Sequence, residues 1–125
     1  MKTNSLLIAS AFMEAGAGVA LIVSPTWTVL FLIGAPFDIP GAAVVGRLTG
    51  AALLALALAC WIARADSASP SARGLVAGLA LYNAVAVVVL SYSGFGLRLA
   101  GIALWPAVVL HLLMAVWCFT FLRNH

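Results

Sequence analysis

Four polar side chains, one in each of four long apolar runs, are the residues best suited to chemistry. They are Glu14, Arg47, Asn83 and His111. The runs have the length and composition of membrane spans, and a polar group inside hydrocarbon is costly unless it has a partner or a function. We therefore expect the four side chains to turn inward and to lie close together.

The residue types predict proton handling or polar-ligand binding. A glutamate such as Glu14 and an imidazole such as His111 can each take up and release a proton. The Arg47 guanidinium is expected to pair with Glu14 or to extend toward the outer surface, and in a binding site it would attract an anionic or polar group. Tyr82 precedes Asn83 and is the aromatic residue expected nearest the site.

The predicted ligand-binding residues are Glu14, Arg47, Tyr82, Asn83, Trp105 and His111. Trp105 belongs to this set because the site is expected to open toward the outer end of the spans, where Arg47 and Trp105 lie. Catalytic residues are left unassigned. The alternative interpretation is purely structural, with the polar residues bonding one another and fixing helix register at an average gain of about 0.6 kcal/mol for each hydrogen bond.

Histidine and cysteine positions predict no metal site and name no cofactor. His111 is the only histidine inside an apolar run, and His125 is the terminal residue. Zinc needs several nitrogen or sulfur ligands at one depth, and a bis-histidine haem needs a second axial histidine. Cys60 and Cys118 stand outside any Cys-x-x-Cys motif and are interpreted as small packing residues.

The composition predicts a membrane protein whose main partner is the lipid bilayer. Of the 125 residues, 66% are hydrophobic and 7% charged, against about 45–50% and about 25% in soluble domains. A soluble domain of this length could not bury so much apolar surface. The net charge of +3 does not indicate nucleic-acid binding, because the basic residues are scattered and a nucleic-acid interface needs a basic face.

The apolar segments predict an all-α fold, a four-helix transmembrane bundle forming a single domain over residues 1–125. The segments cover about 5–23, 41–63, 72–90 and 101–122. Each is close to the roughly 20 residues that cross a bilayer core. Between the first two spans, Trp27 to Ile33 is predicted to form a short interfacial helix, and the alternative is that the first helix continues past Pro25.

Small residues predict where the helices touch, because close backbone approach holds membrane bundles together. The stretches Gly46 to Gly50 and Gly74 to Gly78 both match the small-xxx-small pattern. Ala11, Ala15 and Gly18 lie near the glutamate of the first span. We expect all three groups to form helix contacts.

Basic residues predict the orientation in the membrane. Lys2, Arg64, Arg73 and Arg123 fall at one end of the predicted spans, and Arg98 falls at the other. Lysine and arginine collect at cytoplasmic ends. We expect both termini in the cytoplasm and, from the compactness of the chain, a location in a bacterial inner membrane.

The function expected from these features is the binding or transport of a small molecule, with or without a coupled proton. Four short helices enclose little volume, so transport would need a homodimer. A second hypothesis is an accessory or assembly subunit of a larger membrane complex. A third is an intramembrane enzyme that uses Glu14 and His111 as an acid–base pair.

One family shares several of these features. The size, the span count and a glutamate in the first span, Glu14, resemble the small multidrug resistance transporters. The third-span motif of small residues around a tryptophan, which marks that family, is missing between residues 72 and 90. The sequence therefore assigns the chain to no family.

Overall fold

The computed structural model describes residues 3–124, which form an all-helical bundle. Its helices are α1 (Thr3–Val23), α2 (Pro25–Ile33), α3 (Pro40–Ala63), α4 (Pro70–Phe95) and α5 (Leu104–Asn124), with one 3-10 turn at Arg64–Asp66. Within this range, α1, α3, α4 and α5 are long and apolar enough to cross a membrane. The predicted four-helix architecture, with a short helix between its first two spans, is confirmed.

Proline begins α2, α3 and α4. The first helical position suits proline because the N–H that it lacks would have no partner inside the helix. Pro25 therefore ends α1 and starts a separate helix. At α4, the Ser69 hydroxyl also caps the helix by accepting a hydrogen bond from the backbone N–H of Ala72 at 3.2 Å.

The spans associate as two helix pairs. Helix α1 packs most closely on α3, and α4 packs most closely on α5, with fewer contacts between the pairs. The first pair meets backbone to backbone, since a Cβ added at Gly50 would lie 2.7 Å from the carbonyl oxygen of Gly18. A Cβ added at Gly18 would lie 2.8 Å from the Gly50 carbonyl oxygen. These glycines form the close contact predicted for α1 and α3.

The second glycine motif behaves differently. In the described part of the chain, nothing lies within 4 Å of a Cβ added at Gly74 or Gly78. The predicted helix contact at these residues is therefore wrong. Val76, Leu79 and Asn83 are completely buried and define the inner face of α4, and helical geometry places the two glycines on the opposite face.

The connection between α4 and α5 departs from the predicted boundaries. Helix α4 continues about one turn beyond residue 90, and α5 begins at Leu104 instead of about residue 101. The intervening backbone is held by α2. The N–H groups of Gly101 and Ala103 donate to the carbonyl oxygens of Leu32, at 3.1 Å, and Phe31, at 2.9 Å. These bonds satisfy carbonyls that a helix end leaves without partners.

The apolar core draws side chains from all four spans. Its completely buried members include Leu6, Leu7, Cys60, Val76, Leu79 and Cys118. Both cysteines are free thiols inside this core, where they pack as small apolar residues do.

Candidate functional site

Glu14 is the centre of the candidate site. Its side chain, on α1, is only 1% exposed. The hydroxyl of Tyr82, on α4, interacts with the Glu14 carboxylate. The carboxylate oxygen Oε1 is buried and has no hydrogen-bond partner within residues 3–124. One side of this carboxylate is therefore free to accept a proton or a hydrogen bond.

Asn83 and His111 form the second part of the site. The Asn83 amide nitrogen donates to the carbonyl oxygen of Leu79 at 2.8 Å, so its oxygen Oδ1 is left as an acceptor. That oxygen lies 2.7 Å from Nδ1 of His111. The imidazole therefore carries its hydrogen on Nδ1 and donates it to Asn83. In the neutral ring, Nε2 then remains an acceptor.

Tyr82 connects these two parts. Its hydroxyl contacts Glu14, and its ring packs edge-on against the His111 ring, with 5.7 Å between ring centres and 83° between the planes. We call Glu14, Tyr82, Asn83 and His111 the polar cluster. Its members come from α1, α4 and α5, so the cluster lies where one helix pair meets the other.

Arg47 lies apart from the polar cluster. Its side chain is exposed on α3, and Nε donates to the carbonyl oxygen of Ile22 at 3.2 Å. Ile22 is two helical turns beyond Glu14, near the end of α1. The expected ion pair between Arg47 and Glu14 is not formed. The guanidinium instead binds near the Val23 end of α1, away from the buried carboxylate.

Trp105 is also outside the cluster. It lies in the first turn of α5 and is 40% exposed. Its ring packs against Phe95, with 4.8 Å between ring centres, and covers Gly94, where an added Cβ would lie 2.8 Å from the indole. His111 follows six residues later, roughly 9 Å along the helix axis. Trp105 therefore closes the α4–α5 hairpin and does not contact the site.

Ser10 is a polar neighbour that the sequence did not single out as a site residue. It is completely buried, and its hydroxyl oxygen has no hydrogen-bond partner in the described part of the chain. Ser10 precedes Glu14 by four residues, so both side chains lie on one face of α1. The four-residue spacing could have identified Ser10 from the sequence. It places a second unpartnered oxygen beside the cluster.

The cluster offers mainly hydrogen-bond acceptors. The ionised Glu14 carboxylate can only accept hydrogen bonds, and so can the second ring nitrogen of a neutral His111. The Ser10 hydroxyl can accept or donate. No cationic side chain among residues 3–124 pairs with Glu14. A buried ionised carboxylate is costly without a compensating charge. The described residues also contain no group of three or more side chains suited to a metal ion.

Comparisons with known proteins identified no relative of this chain. A scan against protein-family models, a search of curated proteins and a search of solved structures each found no match to this chain. The fold alone therefore defines the class of protein. It is a helical bundle with four segments long enough to cross a membrane, as in an integral membrane protein, and its activity has to be argued from the polar cluster.

Proposed function

We propose that the polar cluster binds a small molecule or a proton inside the membrane, and that the protein is a binding or transport unit. The observation that carries this proposal is the buried Glu14 carboxylate, whose Oε1 has no partner in the described chain. A purely structural cluster would be expected to satisfy that oxygen, because an unsatisfied buried acceptor costs about 1–3 kcal/mol. A ligand or proton would remove this cost.

The free acceptors define the ligand chemistry that fits. A ligand would have to bring hydrogen-bond donors to Glu14 and to His111, as an amine, an ammonium group or a hydroxyl does. Arg47 is directed away from the cluster, so an anionic ligand would meet no cation there. The proposal is therefore a donor-rich or cationic small molecule, with proton exchange on Glu14 as its simplest form.

Native mass spectrometry of the detergent-purified protein tests this proposal. Wild type is compared with Glu14→Gln, which keeps the size of the side chain and removes its charge. Asp66→Asn is the matched control, since Asp66 is an exposed acid in the 3-10 turn. We expect a small-molecule adduct on wild type and on Asp66→Asn that is lost from Glu14→Gln. An adduct of equal intensity on Glu14→Gln would contradict the proposed site, and bare protein in all three samples would contradict small-molecule binding and leave proton exchange on Glu14 as the form to test.

One observation favours the assembly-subunit function as a second candidate. The Gly74–Gly78 face of α4 is open, and small residues allow a partner helix to approach closely. The same face could form the interface of a homodimer, which transport through so small a bundle would require. Gly78→Leu should then shift the native mass of purified complexes to that of the monomer. An unchanged oligomer distribution would exclude α4 as the interface.

We also propose that the chain resides in a bacterial inner membrane with both termini in the cytoplasm. Support comes from Arg64, Arg73 and Arg123, which share one end of the bundle, where the Arg73 guanidinium donates to the carbonyl oxygen of Leu122 at 3.3 Å. Arg98 lies at the other end, and the Arg47 head group extends toward it. Lys2, which contributed to the predicted orientation, and His125 lie outside the described residues.

The orientation can be tested with a reporter that is active only outside the cytoplasm. A periplasmic phosphatase fused after Arg123 should be inactive, and the same enzyme fused after Leu97 should be active. The reverse pattern would overturn the orientation without affecting the proposed polar site.

A further inference from the structure

A groove opens between α1 and α3 on the surface of the bundle that faces away from α4 and α5. It has a volume of about 420 Å³, and its floor is formed by Ala11, Ala15 and Ala57. The two helices touch at Gly18 and Gly50, and farther toward the end of α3 the groove opens over small alanine side chains, with Leu54 and Leu58 also lining it. The volume falls within the ~300–1,000 Å³ typical of ligand pockets, and the walls are almost entirely apolar.

Aromatic rings and a cation close one end of this groove. Phe12 and Trp61 meet edge to face, with 6.0 Å between ring centres and 84° between the planes. The Arg64 guanidinium carbon lies 3.8 Å from the centre of the Trp61 ring. Arg64 Nε is buried and has no hydrogen-bond partner in the part of the chain that the structure describes. An arginine carries five N–H donors, so this end of the groove has unused donors beside an apolar channel.

The position along α3 fits this chemistry to a membrane lipid. Helix α3 has 24 residues and is about 36 Å long at 1.5 Å per residue, longer than the ~30 Å hydrocarbon core. Arg64 follows its last residue and therefore lies at the level of the lipid head groups. On α3, the floor residue Ala57 lies about two turns deeper, at the level of the acyl chains.

We propose that this groove binds one anionic phospholipid. One acyl chain lies over Ala11, Ala15 and Ala57, and the lipid phosphate accepts hydrogen bonds from Arg64. Arginine suits this role because its planar guanidinium matches the geometry of phosphate oxygens. The lipid phosphate supplies a negative charge to pair with the Arg64 guanidinium and oxygen atoms to accept its hydrogen bonds. This site is separate from the polar cluster, because the Glu14 side chain is buried and interacts with Tyr82 on α4, whereas the groove opens on the surface of the bundle between α1 and α3.

Lipid retention measured by native mass spectrometry tests the head-group contact. The protein is released from micelles containing equal amounts of phosphatidylglycerol and phosphatidylcholine with identical acyl chains. Arg64→Gln is compared with Arg73→Gln, which removes an arginine from the same end of the bundle but from α4. Wild type and Arg73→Gln should retain phosphatidylglycerol in roughly fivefold preference, since one surface arginine contributes about 1 kcal/mol toward anionic lipid. Arg64→Gln should lower that ratio to near one.

A second pair of variants tests the acyl-chain contact. Ala15→Leu places a larger side chain on the groove floor, whereas Ala17→Leu makes the same change at an exposed position of α1. Ala15→Leu should reduce retention of both lipids, and Ala17→Leu should match wild type. Equal lipid ratios in the two arginine variants would overturn the proposal, as would full retention by a folded Ala15→Leu. If Ala15→Leu fails to fold, the arginine pair decides alone.

Discussion

The two helix pairs are held together by different chemistry. Helices α1 and α3 meet through backbone atoms at Gly18 and Gly50. Helices α4 and α5 meet through side chains, with the Asn83–His111 hydrogen bond at the middle of the pair and aromatic packing at its end. Lipid gives helices little hydrophobic reason to associate, so membrane bundles rely on close packing and on polar bonds. This chain uses one of these for each pair.

The same contrast explains why only one of two similar glycine motifs packs. On α3, Gly46 and Gly50 share the buried face with Leu53, Ala57 and Cys60. On α4, the glycines lie opposite the buried face. A small-xxx-small pattern therefore marks a surface that another helix can approach closely. Whether a helix of the same chain packs there depends on which face the large apolar residues bury.

The largest expected effect comes from adding one methyl group at the glycine contact. Gly50→Ala should lower the free energy of unfolding by about 1–3 kcal/mol, the usual cost of overpacking, because the new Cβ meets the Gly18 backbone. Gly78→Ala is the matched control and should leave stability unchanged or slightly higher, since its Cβ enters open space. Unfolding in mixed micelles, followed by circular dichroism, measures both. Equal losses would show that the two motifs do not differ.

A smaller effect is expected from the polar contact of the other pair. In a double-mutant cycle with Asn83→Leu and His111→Leu, the coupling free energy should be about 0.6–1.7 kcal/mol, the range found for hydrogen bonds between membrane helices. The same unfolding assay gives the four values required. Asn83→Leu combined with Gly50→Ala is the control and should be additive, because these residues share no partner. Zero coupling between Asn83 and His111 would remove the contrast between the pairs.

The smallest effect on stability is expected at the contact that joins the two pairs. Glu14→Leu combined with Tyr82→Phe should change the free energy of unfolding by less than about 1 kcal/mol, because removing both members of a buried polar contact is close to neutral. Tyr82→Phe alone should cost more than the double variant, since it leaves both carboxylate oxygens unpartnered. A loss above about 2 kcal/mol in the double variant would make Glu14 a structural residue and weaken the proposed function.

Much of the architecture could be predicted because it depends on local sequence. Length and hydropathy locate four spans, and Pro25 separates the short helix from the first span. The grouping of Glu14, Tyr82, Asn83 and His111 also follows from the cost of exposing polar groups to lipid. These predictions need only the assumption that each polar side chain turns toward protein.

Other features depend on how the helices cross and could not be predicted from one span at a time. Arg47 and Gly46 are neighbours in sequence, yet one is exposed and the other buried, because successive residues of a helix point in different directions and Pro25 and Phe37 cover Gly46. Trp105 lies on α5 with His111 but too near the start of the helix to reach the cluster. The unpartnered hydroxyl of Ser10 depends on which groups happen to lie opposite it.

The backbone bonds from Gly101 and Ala103 to the end of α2 have a consequence for biosynthesis. The carbonyl groups of Phe31 and Leu32 emerge from the ribosome about 70 residues before their amide partners, Gly101 and Ala103. Until then, water has to solvate those carbonyls, which favours keeping this stretch at the bilayer surface during insertion. The end of α2 therefore reaches its final hydrogen-bonded state only after residues 101–103 have been synthesised.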